Sequence, residues 1–184
     1  MPGPFAEPLL DLTRPRINRA PSSVLALALP WVLVMLGSLS PTWPIIASAP
    51  VLPPLGFLFL LAWLHLRPGL FPVWAGLPLG LFDDLFSGQP MGSGVLLWSV
   101  ATIGMDYLET RFPWRGFITN WLVASAVIVG YLVIAAQFAG AASNGMLLIA
   151  MAPQLAMAVL AYPIAAQLVG LVDRLRLIPV REVG

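Results

Sequence analysis

The sequence predicts an all-α integral membrane protein, and three observations support that prediction. Of the 184 residues, 59% are hydrophobic and only 9% are charged, whereas a soluble domain carries about a quarter charged residues. The apolar residues fall in long runs separated by short turns. All basic residues are arginines, and they lie only in the tails and in alternate loops. A chain so poor in charge cannot cover itself with a solvated surface, so we expect one polytopic membrane domain with short tails.

The apolar runs predict about six transmembrane helices. We expect them at about 22–40, 51–66, 70–87, 91–108, 116–139 and 146–173. Spanning the hydrocarbon core takes roughly 20 residues, so the first four helices are expected to be short or locally broken. The predicted organisation is an N-terminal tail at 1–20, a membrane domain at 21–173 and a C-terminal tail at 174–184.

The arginines predict the orientation of the chain. With six spans, both tails and the loops after the second and fourth helices share one side of the membrane. The loops near 41–50, 88–90 and 140–145 carry no arginine. The arginines are Arg14, Arg16, Arg19, Arg67, Arg111, Arg115, Arg174, Arg176 and Arg181. Since basic residues are enriched in cytoplasmic loops, we expect both termini in the cytoplasm.

Two adjacent aspartates, Asp83 and Asp84, stand in the third apolar run. A carboxylate well inside a span raises the free energy of membrane insertion by about 2.5–3.5 kcal/mol even on the lenient insertion scale. We therefore expect such a residue to have a functional role. Asp84 lies four residues after Gly80 and eight after Gly76, which places all three on one helix face that permits close helix approach. Asp83 is turned about 100° away from that face. We therefore expect Asp83 to be an exposed charge near the helix end.

Gly88 and Gly92 continue the four-residue spacing into the turn that follows. The fourth helix begins there, and a helix start attracts an anion through its unpaired N–H groups and its dipole. We expect Asp84 to fold back onto the N–H groups around Gly92–Gly94, or onto Ser93. In either case it would join the third helix to the fourth.

The composition also limits the chemistry of the chain. It has no cysteine and one histidine, which excludes disulfides, thiol catalysis and a multi-histidine metal site. Ser93 and His65 could suggest an intramembrane serine protease. The predicted topology puts them at opposite faces of the bilayer, far beyond nucleophile–base contact. We expect no catalytic residues, metal, cofactor or nucleic-acid partner.

Glu109, Arg111 and Arg115 lie with Asp106 in the predicted loop after the fourth helix. One interpretation is a solvated loop with local ion pairs, each contributing under about 1 kcal/mol. The other is a docking site for a cytoplasmic partner.

Two stretches resemble a known family in their order and spacing. "AWLHLRPG" (62–69), followed by "GLFDDLFSGQPMG" (80–92), resembles the rod shape-determining protein MreD of bacteria, and "RFPWRGFITNWLVA" (111–124) is similar to that family's segment leading into its fifth span. The matching residues are Trp63, Arg67, Pro68, Gly80, Asp84, Gly88 and Gly92. The resemblance covers nearly the whole chain, although the long N-terminal tail is not part of the family pattern.

This resemblance implies a non-enzymatic inner-membrane scaffold of the elongation machinery, required for rod shape and lateral peptidoglycan synthesis. It implies association with MreC, with the actin-like protein MreB, and with RodA and its transpeptidase partner. The family's architecture is in turn similar to the S-components of energy-coupling factor transporters.

Two other functions remain open. A small-solute-binding transporter subunit would need a wet cavity lined by convergent polar groups. The available polar residues are Asp83, Asp84, Ser99, Thr102, Asn120, Gln137, Asn144 and Gln154. A proton-conducting protein would need a chain of ionisable residues across the bilayer, which the sequence does not offer.

Overall fold

The computed structural model describes residues 19–20, 23–42, 52–112, 116–140, 151–176 and 181–182. Within them the chain forms six α-helices, with 3-10 turns at Ser40–Thr42 and Val73–Ala75. The helices are α1 (Ser23–Ser38), α2 (Leu55–Leu66), α3 (Gly76–Ser87), α4 (Ser93–Arg111), α5 (Phe117–Phe138) and α6 (Ala152–Arg176). The predicted all-helical class is confirmed for this part of the chain.

Several helix boundaries differ from the prediction. α2 begins at Leu55 and not near 51, and α4 continues past 108 to Arg111. The third helix begins at Gly76 and not near residue 70, because Gly69 takes a left-handed backbone conformation (φ 79°) and a separate 3-10 turn follows Pro72. The last helix continues past the predicted end at 173 to Arg176. Its predicted beginning, at 146–150, lies outside the described residues.

The helices differ in their capacity to cross a membrane. α5, with 22 residues, and α6, with 25 residues, are long and apolar enough to do so, judged by length and composition. α1 has 16 residues, and α2 and α3 have 12 each. Those three helices are short, as the sequence predicts, whereas the prediction is wrong for α4, which is a continuous helix of 19 residues.

The core of the bundle is centred on α2. Eight of its 12 residues are buried, and it contacts α1, α4, α5 and α6. The outer faces of the surrounding helices carry exposed large apolar side chains, including Leu85, Val100, Ile118, Leu122 and Leu160. An apolar core inside an apolar surface is the pattern expected of a chain whose solvent is lipid.

The helix ends separate into two groups. At one end, called the arginine end, the start of α1, the end of α2 and the end of α6 meet through Ala26, Arg67 and Arg176. Two-residue strands β1 (Arg19–Ala20) and β2 (Arg181–Glu182) pair antiparallel, so the two tails come together. At the arginine-free end, Gln154 at the start of α6 donates to the Leu52 carbonyl before α2 (3.0 Å). α2 and α6 therefore run in the same direction, and α1 runs opposite to them.

Candidate functional site

Glycine residues on α3 allow α3 and α4 to approach each other closely. A Cβ added to Gly80 would lie 2.5 Å from the Gly94 carbonyl oxygen and 2.8 Å from the Val95 Cα. A Cβ added to Gly76 would lie 2.6 Å from the Ser99 Cα. These neighbours are backbone atoms that cannot rotate away. The predicted close approach on the Gly76–Gly80 face is confirmed.

Asp84 extends this face and closes onto the start of α4. Its Oδ1 accepts a hydrogen bond from the Gly94 N–H (2.7 Å), and its Oδ2 accepts from the N–H groups of Gly92 (2.8 Å) and Val95 (3.2 Å). The residue is only 4% exposed. The predicted contact with the N–H groups around Gly92–Gly94 is confirmed. The alternative contact with Ser93 is wrong, because the Ser93 hydroxyl donates to the Pro90 carbonyl instead (2.7 Å).

The turn between the helices explains why α3 supplies this carboxylate. Gly88 (φ 70°) and Gly92 (φ 93°) both adopt left-handed conformations, which glycine adopts without steric penalty. α4 begins after Gly92, a residue with no side chain to cap the first N–H groups. The Asp84 carboxylate supplies the missing acceptor from the neighbouring helix and places a negative charge at the positive end of the α4 dipole. We call this arrangement the Asp84 clamp.

A valine at Gly80 is expected to lower the free energy of unfolding by about 1–3 kcal/mol or more, because the added methyl groups would force α3 and α4 apart. The matched control is Gly104→Val in α4, where a Cβ would meet nothing within 4 Å. Denaturant unfolding in detergent would give both values. Equal losses for the two variants would show that the close approach at Gly80 does not stabilise the bundle.

Asp83 is not the exposed charge that the sequence predicts. It is 6% exposed, and the Ser38 hydroxyl at the end of α1 faces its carboxylate. α1 packs against both α2 and α3, and a Cβ at Gly37 would lie 2.8 Å from the Gly56 nitrogen. The prediction is wrong because the last turn of α1 covers the face on which Asp83 lies.

A second group of charges, of which Asp173 and Arg176 are buried, lies at the arginine end. Oδ2 of Asp173 accepts from Arg67 through Nε (3.1 Å) and Nη2 (2.9 Å), and Oδ1 accepts from Nε of Arg176 (2.7 Å). Nη1 of Arg176 donates to the Ala26 carbonyl (2.7 Å), and its guanidinium lies 5.2 Å from the Trp63 ring centroid. This Asp173 cluster (Trp63, Arg67, Asp173 and Arg176) joins α1, α2 and α6.

Two members of this cluster are not among the site residues that the sequence predicts. Arg176 is expected in the tail, yet it is 8% exposed inside the bundle, and Asp173 is 6% exposed. The signal that could have identified Asp173 is the one used for Asp84, namely a carboxylate that continues an apolar run. Pro68, which the family pattern includes, follows the end of α2 and is exposed.

Two of the three suggested docking residues, Glu109 and Arg111, lie at the arginine end. Glu109 is half-buried and Arg111 is exposed, and both belong to the last turn of α4 and not to a loop. Glu109 and Asp106 border a small crevice with Pro68 and Gly69. Arg115 lies outside the described residues.

The polar residues suggested for a solute site do not converge in the described part of the chain. The hydroxyls of Ser99 and Thr102 donate back to carbonyls of their own helix, and Gln137 is exposed. Asn120 borders a cavity of about 200 Å³ at the arginine end, together with His65. Asn144 lies outside the described residues.

Comparison with known proteins yields no relative for this chain. No protein-family model, no curated protein and no solved structure matches it. The resemblance to MreD and to transporter S-components therefore stays a prediction from the sequence motifs.

Proposed function

We propose that the chain is a non-enzymatic, six-span inner-membrane scaffold of the bacterial elongation machinery. In this proposal both termini are cytoplasmic, and the protein supports rod shape and lateral peptidoglycan synthesis by binding MreC. MreB, RodA and the transpeptidase partner of RodA are the further partners that the resemblance implies.

The observation that carries the proposal is that the residues matching the MreD pattern form contacts between helices. Asp84, Gly80 and Gly92 join α3 to α4 at the arginine-free end. Trp63 and Arg67 join α2 to α6 at the arginine end. These residues contact other helices of the same chain, and a scaffold needs such contacts because its partners bind a fixed arrangement of helix surfaces.

The arrangement of the ends supports the proposed orientation. The β1–β2 pairing puts both tails at the arginine end, and Arg67 and Arg176 lie there as well. Basic residues at that end favour placing it in the cytoplasm.

Reporter fusions would test this orientation. We expect cytoplasmic signals from reporters at both termini and an external signal from a reporter in the 140–145 segment. A cytoplasmic signal from that segment would contradict six spans.

Affinity purification of a tagged chain from membranes tests the function. We expect recovery of MreC.

Replacing Glu109, Arg111 and Arg115 together by alanine is expected to reduce recovery of MreB or the wall-synthesis enzymes and to disturb rod shape, because the outer loops are short and uncharged and leave this end as the docking surface. Membrane abundance should be unchanged. Recovery of paired ATPases without MreC would favour the alternative, a small-solute-binding subunit of a transporter.

A further inference from the structure

A cleft separates α4 from α5 on the outside of the bundle. The two helices are consecutive, yet they touch only sparsely, whereas α3 and α4 pack closely. The cleft has a volume of about 260 Å³ and an almost entirely apolar lining. Phe57 and Tyr131, both buried, lie at its base, and Val100 and Ile134 at its rim are exposed. In the proposed membrane placement the cleft therefore opens to lipid.

Each wall of this α4–α5 cleft carries a glycine. Gly104 of α4 and Gly130 of α5 both line it, and a Cβ added to either would meet no atom of the described residues within 4 Å. At Gly80 the backbone of α4 fills the corresponding space. Atoms that border a void lose the dispersion contacts that a neighbour would supply. An occupant of the cleft would restore those contacts and connect α4 to α5.

The shape of the cleft limits what that occupant can be. Its lining residues on α4 extend from Leu97 to Leu108, which is about 16 Å along the helix. An apolar cavity of about 150 Å³ holds one benzene molecule, so a volume of about 260 Å³ accommodates about ten carbon atoms. Ten carbon atoms distributed over that length form a single file. A helix, about 10–12 Å wide with its side chains, is too wide, whereas one hydrocarbon chain fits.

The charges at the arginine end indicate the head group of that chain. Arg111 follows Leu108 by three residues, so it lies on the same face of α4, about one turn beyond the cleft. Its side chain is exposed. Asp106 and Glu109 border the crevice beside Pro68 instead. The cleft therefore leads to a guanidinium group, which binds phosphate through paired, charge-assisted hydrogen bonds.

We propose that the α4–α5 cleft binds one acyl chain of an anionic phospholipid whose phosphate lies at Arg111. The acyl chain fills the space above Gly104 and Gly130 and contacts both helices. Because the chain is enclosed by α4, α5 and the buried base of the cleft, this lipid exchanges more slowly than the lipid around the rest of the bundle. The inference rests on the proposed membrane placement and does not depend on a role in elongation.

Native mass spectrometry of the full-length chain, extracted from membranes in a mild detergent, tests the site. We expect the wild type to retain one phospholipid and, on titration, to prefer phosphatidylglycerol to phosphatidylethanolamine. Gly130→Leu fills the cleft with a better helix former and should reduce lipid retention several-fold. Gly170→Leu is the matched control, because a Cβ at Gly170 of α6 also meets no described atom within 4 Å and this residue lies outside the cleft. It should retain the lipid.

Two further variants make the result specific. Gly104→Leu fills the cleft from its other wall and keeps the test informative if Gly130→Leu does not fold. Arg111→Gln should still retain a phospholipid but should bind the two lipids equally.

The proposal would be overturned if the wild type and both leucine variants retained the same amount of lipid, or if the wild type bound the two lipids equally. Loss of MreC recovery in Gly130→Leu with unchanged lipid retention would assign the cleft to a partner protein and would also overturn it. Recovery of the chain from the soluble fraction without detergent would instead contradict the membrane placement on which the inference rests.

Discussion

Replacing Asp84 by leucine is expected to lower the free energy of unfolding by about 4 kcal/mol or more and to reduce the amount of the chain in the membrane. The change leaves three N–H groups at the start of α4 without their acceptor. A hydrogen bond to a charged group contributes about 1.5–3 kcal/mol, and an unsatisfied buried donor loses the full desolvation energy. Leucine also removes the negative charge from the positive end of the helix dipole.

The Asp84→Asn variant distinguishes a structural role of Asp84 from a role in proton transfer. It keeps one acceptor oxygen, so we expect stability, membrane abundance and rod shape between those of the wild type and those of Asp84→Leu. Asp106→Leu, at an exposed position of α4, is the control for stability and membrane abundance. Wild-type abundance, rod shape and MreC binding in Asp84→Leu would show that the aspartate does not hold the helices together. If asparagine disturbed rod shape as much as leucine while abundance stayed normal, proton transfer at this position would be favoured.

Replacing Asp173 by alanine is expected to lower the free energy of unfolding by about 3–5 kcal/mol, the range measured when one partner of a buried ion pair is removed. Arg176 would remain 8% exposed with its anion gone, and Arg67 would lose its contact between helices. In contrast, Arg67→Ala is expected to have a smaller effect, since the Arg67 side chain is 48% exposed and water can replace part of the interaction.

Urea or guanidinium unfolding in detergent would compare the Asp173 and Arg67 variants, with abundance in the membrane as a second measurement. The double variant Asp173→Leu, Arg176→Met provides a further comparison, because removing both charges together is often tolerated far better than removing one. If Arg67→Ala were as harmful as Asp173→Ala, the burial of Arg176 would not be the source of the effect.

The Asp84 clamp could be predicted from the sequence because every part of it is local. The carboxylate and its donors lie eight to eleven residues apart along the chain, on either side of a glycine-rich turn. Helix periodicity puts Asp84 on the Gly76–Gly80 face, and the chemistry of a helix start supplies the donors. The contact between α3 and α4 can therefore be predicted without knowing any other part of the fold.

The surroundings of Asp83 and Asp173 could not be predicted in this way. Arg67 and Asp173 are 106 residues apart in the chain, and Asp83 is covered by α1 through a contact that no local pattern indicates. Which helices are neighbours is decided by packing of the whole bundle. The apolar runs do not show which helices will be neighbours, because lipid and the protein interior favour the same side chains. Local sequence patterns therefore predict Asp83 at the surface and Arg176 in a tail, and both predictions are wrong.

The pairing of β1 with β2 has a consequence for chain connectivity. Since Ala20 lies opposite Arg181, a short linker from Glu182 to Arg19 can connect α6 to α1 without disturbing any helix. The chain can then be reopened in the segment between α4 and α5, giving a circular permutant that starts with α5 and still has both new ends at the arginine end. In such a permutant the Asp84 clamp and the Asp173 cluster keep all their partners, so the order in which the helices are synthesised is separable from the contacts that hold them together.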